Sequence, residues 1–301
     1  MLENSNLVNN NGVKLYIRHI PSLKKTKNAV ILLNSKSLCV ESSMGVRLGS
    51  ISYGEYLASK GIDAFLIDLR GYGLSDNVPE FFNGNGCTTI EDYFNDIKFC
   101  SEYIKNLLGT DTQISIVGFS FLGPISLIVS HRYPGIFKNI ILLNPNWERR
   151  DYDPPAGVDF IDKSDNKNYS TVNLYKIKNR SDSAQPNGKE FRETQWFEEV
   201  SKSIETFSRT YDAETKSWKI FNPPGLAKEI QKIKGMSNST SNVLLLNAQY
   251  DIENPYFMVK RLFDDLRVKN KYIKVLPNAT HLCIWEKSRH SFYNITSEFI
   301  L

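Results

Sequence analysis

Apolar positions follow two rhythms along this chain, and their alternation predicts most of the architecture. A continuous apolar run spans Ala29 to Leu33, and further strands are read at Ile62 to Asp68, Ile114 to Val117, Ile140 to Leu143, Val243 to Asn247 and Tyr272 to Leu276. Runs of this length suit strands buried on both faces. Between them the spacing turns helical. Ile90, Tyr93, Phe94, Ile97, Cys100, Ile104 and Leu107 share one helix face, with Thr88 or Thr89 as the cap ahead of Glu91 and Asp92. Further helices are predicted over Tyr53 to Lys60 (stopped by Gly61), Pro124 to Tyr133, Pro255 to Leu266 and Ser288 to Ile300. The start reads as a β-hairpin, Leu7-Val8, then a turn Asn9 to Gly12, then Val13 to Ile20. This order implies an α/β protein, a mostly parallel central sheet with helices on both faces.

The rhythm stops after Asn144-Pro145-Asn146 and resumes near Val243. Residues 1–146 and 239–301 are therefore read as one core, and 147–238 as an inserted cap lying over the carboxyl ends of the strands. Polar, turn-rich pieces (Asp151 to Pro155, Ser181 to Lys189) flank a helix expected from Glu193 to Arg209. Three tryptophans, Trp147, Trp196 and Trp218, fall here with Phe160, Phe191, Phe197, Phe207, Tyr169, Tyr175 and Tyr211. Small caps need such rings for their own core; the alternative is a lid against a bulky apolar group.

Composition narrows the class. The 301 residues are 41% hydrophobic and 12% aromatic, enough for a full core. Lysine plus arginine exceeds aspartate plus glutamate by 37 − 33 = 4, and the positive residues are scattered. Nucleic-acid binding normally needs a concentrated basic stripe, so none is expected. No apolar run approaches the length of a membrane span. The polar, Asn-rich Met1 to Asn11 lacks the pattern of a secretory leader. Cys39, Cys87, Cys100 and Cys283 have no metal-ligand spacing, so free thiols in a cytoplasmic, reducing setting are expected. No phosphate-binding glycine loop or Cys/His cluster points to a cofactor or metal.

Candidate chemistry centres on Gly118-Phe119-Ser120-Phe121-Leu122-Gly123, between a predicted strand and a predicted helix. A serine in such a turn, two residues after a glycine, is a nucleophile-elbow arrangement. The turn lifts the hydroxyl above the sheet and aims the helix N–H groups at an oxyanion beside it. The pattern's usual second glycine is Leu122 here, and Gly123 comes one step late. A serine hydroxyl also needs a base, and the base needs a carboxylate to hold its tautomer. Of the four histidines, His19 lies in the hairpin, His131 near the end of the helix after Ser120, and His290 at the start of the last helix. Only His281 sits on a loop at a strand's carboxyl end, the active edge of an open parallel sheet. Asp251, after the strand Val243 to Asn247, is the first carboxylate on the preceding loop, with Glu253 in reserve. After Ile140 to Leu143 the loop offers only the amides Asn144 and Asn146.

The order Ser120, Asp251, His281 resembles the α/β-hydrolase superfamily. Asp68-Leu69-Arg70-Gly71-Tyr72-Gly73-Leu74-Ser75 is similar to the family string D-x-R-G-x-G-x-S. Tyr250-Asp251…Pro255 and Thr280-His281…Glu286 are similar to its acid and histidine loops. Together the motifs span nearly the whole chain outside the cap. The resemblance implies an oxyanion hole from the backbone N–H groups of Lys36 and Phe121. Where the family has His-Gly after its third strand, this chain has Asn34-Ser35-Lys36-Ser37. Ser35 would restrict that turn, and Leu122 must find room between helix and sheet.

A serine at position 120 does not fit the family's dehalogenases and epoxide hydrolases, which use a carboxylate there. The resemblance then implies hydrolysis of a small-molecule carboxylic ester or lactone through an acyl-enzyme. Capped relatives acting on bulky natural-product esters, macrolide lactones among them, are one parallel. Amide or peptide cleavage and C–C bond hydrolysis are alternatives on the same residues. A non-catalytic ligand-binding protein of this fold is the alternative of another class.

Overall fold

The computed structural model describes residues 5–76, 89–147, 161–162, 169–186, 188–221 and 239–301. Cys87, Thr88, Asp151 to Pro155 and Phe160 lie outside them. Three strands open the chain: β1 (Ser5–Asn10), β2 (Val13–Ile20) and β3 (Asn28–Leu33). The helices α1 (Val40–Ser43) and α2 (Tyr53–Ser59), the strand β4 (Asp63–Asp68) and the long α3 (Ile90–Leu108) follow. Next come β5 (Gln113–Phe119), α4 (Leu122–Arg132) and β6 (Asn139–Leu143). An inserted segment carries β7 (Ile161–Asp162), β8 (Tyr169–Asn173), α5 (Leu174–Ala184), α6 (Trp196–Phe207) and β9 (Ser217–Phe221). The chain then closes with β10 (Asn242–Ala248), α7 (Tyr256–Asp265), β11 (Lys271–Leu276) and α8 (Arg289–Ile300).

The central sheet has the order β1-β2-β4-β3-β5-β6-β10-β11. β2 runs antiparallel to both neighbours, and every pairing from β4 to β11 is parallel. Side chains alternate faces along a strand, yet β4 and β6 are buried at every position. Both faces are therefore covered, as the continuous apolar runs predict. α2 and α8 pack against each other, and α3 against α4. Among the described residues no helix is long and apolar enough to cross a membrane.

Local signals hold well in this core. Thr89 is the cap of α3, and Asp92 accepts from its backbone N–H and its hydroxyl. The hairpin turn is tighter than expected. Asn10 pairs with Val13, so Asn11 and Gly12 alone make the bend, both at positive φ (51° and 89°). Asn10 stays in the strand, its amide donating to Asp96 at 2.9 Å.

The insert departs from expectation. β7, β8 and β9 form a separate antiparallel sheet, and α5 runs through Ser181 to Ala184, where polar turns were expected. Asn173 caps α5, its side chain accepting from the N–H groups of Tyr175 and Lys176. The buried face of α5 is Leu174, Ile177, Arg180, Ser181 and Ala184. Two of those five are polar, so helical hydrophobic spacing is hidden.

Candidate active site

β5 ends at Phe119, and α4 begins at Leu122. Ser120 between them holds φ at 52°, a left-handed conformation that L side chains rarely adopt. The turn is tied down by its own backbone. Ser120 N–H donates to the Leu143 carbonyl at 2.8 Å, and the Ser120 carbonyl accepts from Asn146 at 3.1 Å and Gly123 at 3.2 Å. Gly118 is required by space: a Cβ there would stand 2.5 Å from the Leu122 carbonyl oxygen and 2.8 Å from Gly123 Cα. Gly123 explains the displaced glycine. Its missing side chain lets α4 approach Gly118, Leu142 and Pro145, where a Cβ would meet neighbours at 3.3–3.6 Å. Leu122 itself is fully buried within the core.

The loops after β10 and β11 bring two further groups to this serine. His281 Nε2 lies 3.1 Å from Ser120 Oγ, and His281 Nδ1 lies 2.8 Å from Asp251 Oδ2. Asp251 and His281 are 4% and 2% exposed. The other Asp251 oxygen accepts from the backbone N–H groups of Glu253 and Asn254, at 2.9 and 2.8 Å. These two bonds occupy one carboxylate oxygen and leave the other to face the imidazole. The Phe119 ring stacks on His281 at 5.4 Å. The remaining histidines stand elsewhere: His19 pairs with Asp63, His131 lies near the end of α4, and His290 is exposed on α8.

Several residues beyond Ser120, Asp251 and His281 brace the loops. Asn144, at φ 45°, donates to the His281 carbonyl at 2.9 Å and accepts from Ala248 N–H at 2.8 Å. Its own carbonyl accepts from the Asn254 amide at 3.0 Å, so one side chain and its backbone join three loops. Glu286 accepts from the Thr280 N–H (2.9 Å) and hydroxyl (2.6 Å). Burial pushes the Glu286 carboxyl above its usual range, against the pull of the Thr280 bonds. Burial also pushes the Cys283 thiol well up, so the sulfur beside Asn144 stays neutral. Glu253, the reserve carboxylate, is not at Nδ1. Its Oε2 lies 3.5 Å from His281 Nε2, and its carboxylate is gripped by Arg180 of α5.

The turn after β3 is built without glycine. Ser35 does not adopt positive φ. Asn34, fully buried, donates to the Ser35 carbonyl at 2.7 Å and also to the Leu38 carbonyl, pinning the loop from inside. Trp218 of the insert donates its indole N–H to the Ser37 carbonyl at 3.0 Å. Lys36 is half-buried, with its ammonium 5.7 Å from the centre of the Phe121 ring. The loop thus brings Lys36 beside Phe121, whose N–H precedes the first turn of α4, where helix donors lack partners within the helix. Arg70 braces rather than faces the site: it forks onto Asp96 (2.9 and 2.6 Å) and reaches Asp92 at 3.1 Å.

The rings of the insert pack largely on the core, not within the insert alone. Trp196 stacks on Trp285 at 5.3 Å, Phe191 meets Tyr250 at 5.6 Å, and Phe221 sits edge-on to Tyr93 at 6.0 Å. Backbone joins them where Lys287 N–H donates to the Phe191 carbonyl at 2.8 Å.

Comparison with known proteins bears on the family and the fold. Residues 51–288 match the family model described as serine aminopeptidase, S33. No curated protein matches the chain by sequence. Solved structures share the α/β-hydrolase fold. A soluble variant of monoglyceride lipase from Saccharomyces cerevisiae superposes with a TM-score of 0.67 at 14% identity, covering 99% of this chain and 94% of that one. Monoacylglycerol lipase from Paleococcus ferrophilus gives 0.61 at 17%, covering 95% and 98%. A meta-cleavage product hydrolase from Pseudomonas fluorescens gives 0.62 at 16%, covering 98% and 96%.

Proposed function

This chain belongs to the serine aminopeptidase S33 family of α/β-hydrolases, and from that premise we propose that it is a serine hydrolase acting on carboxylic esters or lactones. One observation carries the reading: His281 bridges Ser120 Oγ and the Asp251 carboxylate, with a serine held at φ 52°.

In this mechanism Ser120 Oγ attacks the ester carbonyl as its proton passes to His281 Nε2. Asp251 holds the Nδ1–H tautomer and stabilises the imidazolium by charge. The backbone N–H groups of Lys36 and Phe121 receive the oxyanion. The Nε2 proton then goes to the leaving oxygen, giving alcohol and acyl-Ser120. Water repeats the sequence in reverse roles, and its hydrolysis of the acyl-enzyme returns the proton to Ser120.

We assign residues 147–238 the role of a cap over this site. Its aromatic content supports a fairly bulky apolar acyl or alcohol group, a macrolide-type lactone being one member of that class. The cytosol suits the buried free thiols of Cys39, Cys100 and Cys283. Amide cleavage is the second reading, favoured by the family's description as aminopeptidases.

The deciding experiment combines turnover of p-nitrophenyl esters with organophosphonate labelling. Wild type is expected to turn over the ester and be labelled at Ser120, and Ser120→Ala to lose both by on the order of a thousandfold or more. An inert, unlabelled wild type would leave a ligand-binding protein of this fold. A panel of esters, lactones and amino-terminal p-nitroanilides then ranks the bond types.

A further inference from the structure

His281 faces a carboxylate at each ring nitrogen. Asp251 takes Nδ1 at 2.8 Å, while Glu253 Oε2 stands 3.5 Å from Nε2, the nitrogen that also meets Ser120 Oγ at 3.1 Å. The chain itself sets this up, because Asp251 pins the backbone N–H of Glu253 and so fixes where that side chain starts. An imidazole nitrogen has one in-plane direction for a proton or lone pair. Ser120 and Glu253 therefore compete for it, and a carboxylate is the stronger acceptor for a charged imidazolium. At 3.5 Å the carboxylate lies just beyond an ordinary hydrogen bond, so a shift of a few tenths of an ångström would close it.

Arg180 prevents that shift. It reaches from α5 and holds Glu253 through both nitrogens of a guanidinium fork, Nε to Oε1 at 2.6 Å and Nη2 to Oε2. Arg180 and Glu253 are 4% and 5% exposed, so little water screens the contact. The fork neutralises the carboxylate and sets its plane, which a point-charge ammonium does less well.

We propose that Arg180 is a positioning residue of the proton relay, keeping Glu253 from capturing the Nε2 proton that His281 must carry between Ser120 and the leaving group. The inference rests on the reading of Ser120, His281 and Asp251 as the catalytic set. It also makes the insert part of the relay, because the residue that shields Nε2 comes from α5 and not from the core.

The test is a double-variant comparison read by kcat, KM and the rate of organophosphonate labelling, with melting temperature as the check on folding. Arg180→Met is expected to lower kcat and labelling on the order of 10- to 100-fold with little change in KM, because the relay and not substrate binding is disturbed. Arg180→Met with Glu253→Gln removes the competing charge and is expected to return both rates to within about threefold of wild type. If the folded double variant stays as slow as the single, Arg180 only anchors the insert and the inference falls. Wild-type rates in Arg180→Met overturn it as well. Should Arg180→Met fail to fold for want of a partner to Glu253, Arg180→Lys serves: several-fold slower labelling supports the shield, and wild-type labelling overturns it. A wild-type protein that is neither labelled nor active overturns the catalytic reading beneath, a distinct result from any of these.

Discussion

Around Ser120, position is set by backbone on backbone. The serine's N–H and C=O bond to Leu143 and to Asn146 and Gly123, and two glycines let α4 lie against the ends of β5 and β6. Around the insert, a few backbone bonds to the core, at Phe191, Glu193 and Arg209, are joined by side chains that reach it: Arg180 to Glu253, Trp218 to Ser37, Trp196 onto Trp285 and Arg209 to Asp76. Backbone contacts leave few degrees of freedom once the sheet has formed. Side-chain contacts each fix a long rotatable arm and are lost singly. The geometry at Ser120 is thus expected to fail all at once, whereas the insert's side-chain contacts go one by one.

The largest expected effect breaks the first half of that contrast. Gly118→Ala places a Cβ against a backbone carbonyl that cannot swing aside. Labelling of Ser120 is expected to fall on the order of a hundredfold, with overpacking costing about 1–3 kcal/mol by thermal melt. Near-normal labelling would show that the turn has slack after all.

Asp68 sharpens the same half, as a charge held by backbone. Its carboxyl accepts from Val40 N–H at 2.7 Å and Leu74 N–H at 3.4 Å. Burial, with Glu41 adding to it, nevertheless raises it from 3.8 to about 7. The folded protein binds this proton more tightly than the unfolded chain between those values. Its contribution therefore favours folding at low pH and declines as pH rises from about 4 to about 7, by a few kcal/mol at most. Asp68→Asn has no such proton. The difference in unfolding free energy between the two proteins should slope across that window and flatten above it; a difference independent of pH counts against the buried charge.

Trp218→Phe probes the second half of the contrast. It keeps most of the ring but loses the bond to the Ser37 carbonyl, at an expected cost of about 1 kcal/mol in denaturant melts. A loss several times larger would mean that the insert is held as cooperatively as the turn. The smallest effect is expected at Arg209→Ala. The ion pair with Asp76 is about one-third exposed on each side, and such pairs contribute less than about 1 kcal/mol. The backbone bond from Arg209 N–H to the Gly73 carbonyl remains in place.

Much of the core was legible from local chemistry. Continuous apolar runs marked the parallel strands, Thr89 and Asp92 marked the start of α3, and Gly118 marked the tight turn. The places of Ser120, Asp251 and His281 after β5, β10 and β11 put them on one sheet edge. Each inference needed only a residue and its near neighbours, because strand burial, capping and turn sterics act over a few positions.

Tertiary structure alone decided what those signals could not reach. Gly123 does the spacing work usually done one residue earlier, which depends on how Leu142 and Pro145 lie beneath α4. Asn34 replaces a glycine turn with side-chain bonds to carbonyls, and Asn144 joins three loops through contacts up to 137 positions apart. The helical pattern of α5, whose end at Ser181 to Ala184 read as a polar turn, was hidden because Arg180, buried on its inner face, takes its partner from Glu253, 73 residues away. A buried charge is tolerated only when its counter-charge arrives in space, and no periodicity along the chain records that meeting. So the serine, its histidine and its acid could be read from the sequence, while the groups that hold them in register became visible only once the sheet and the insert had brought distant side chains together.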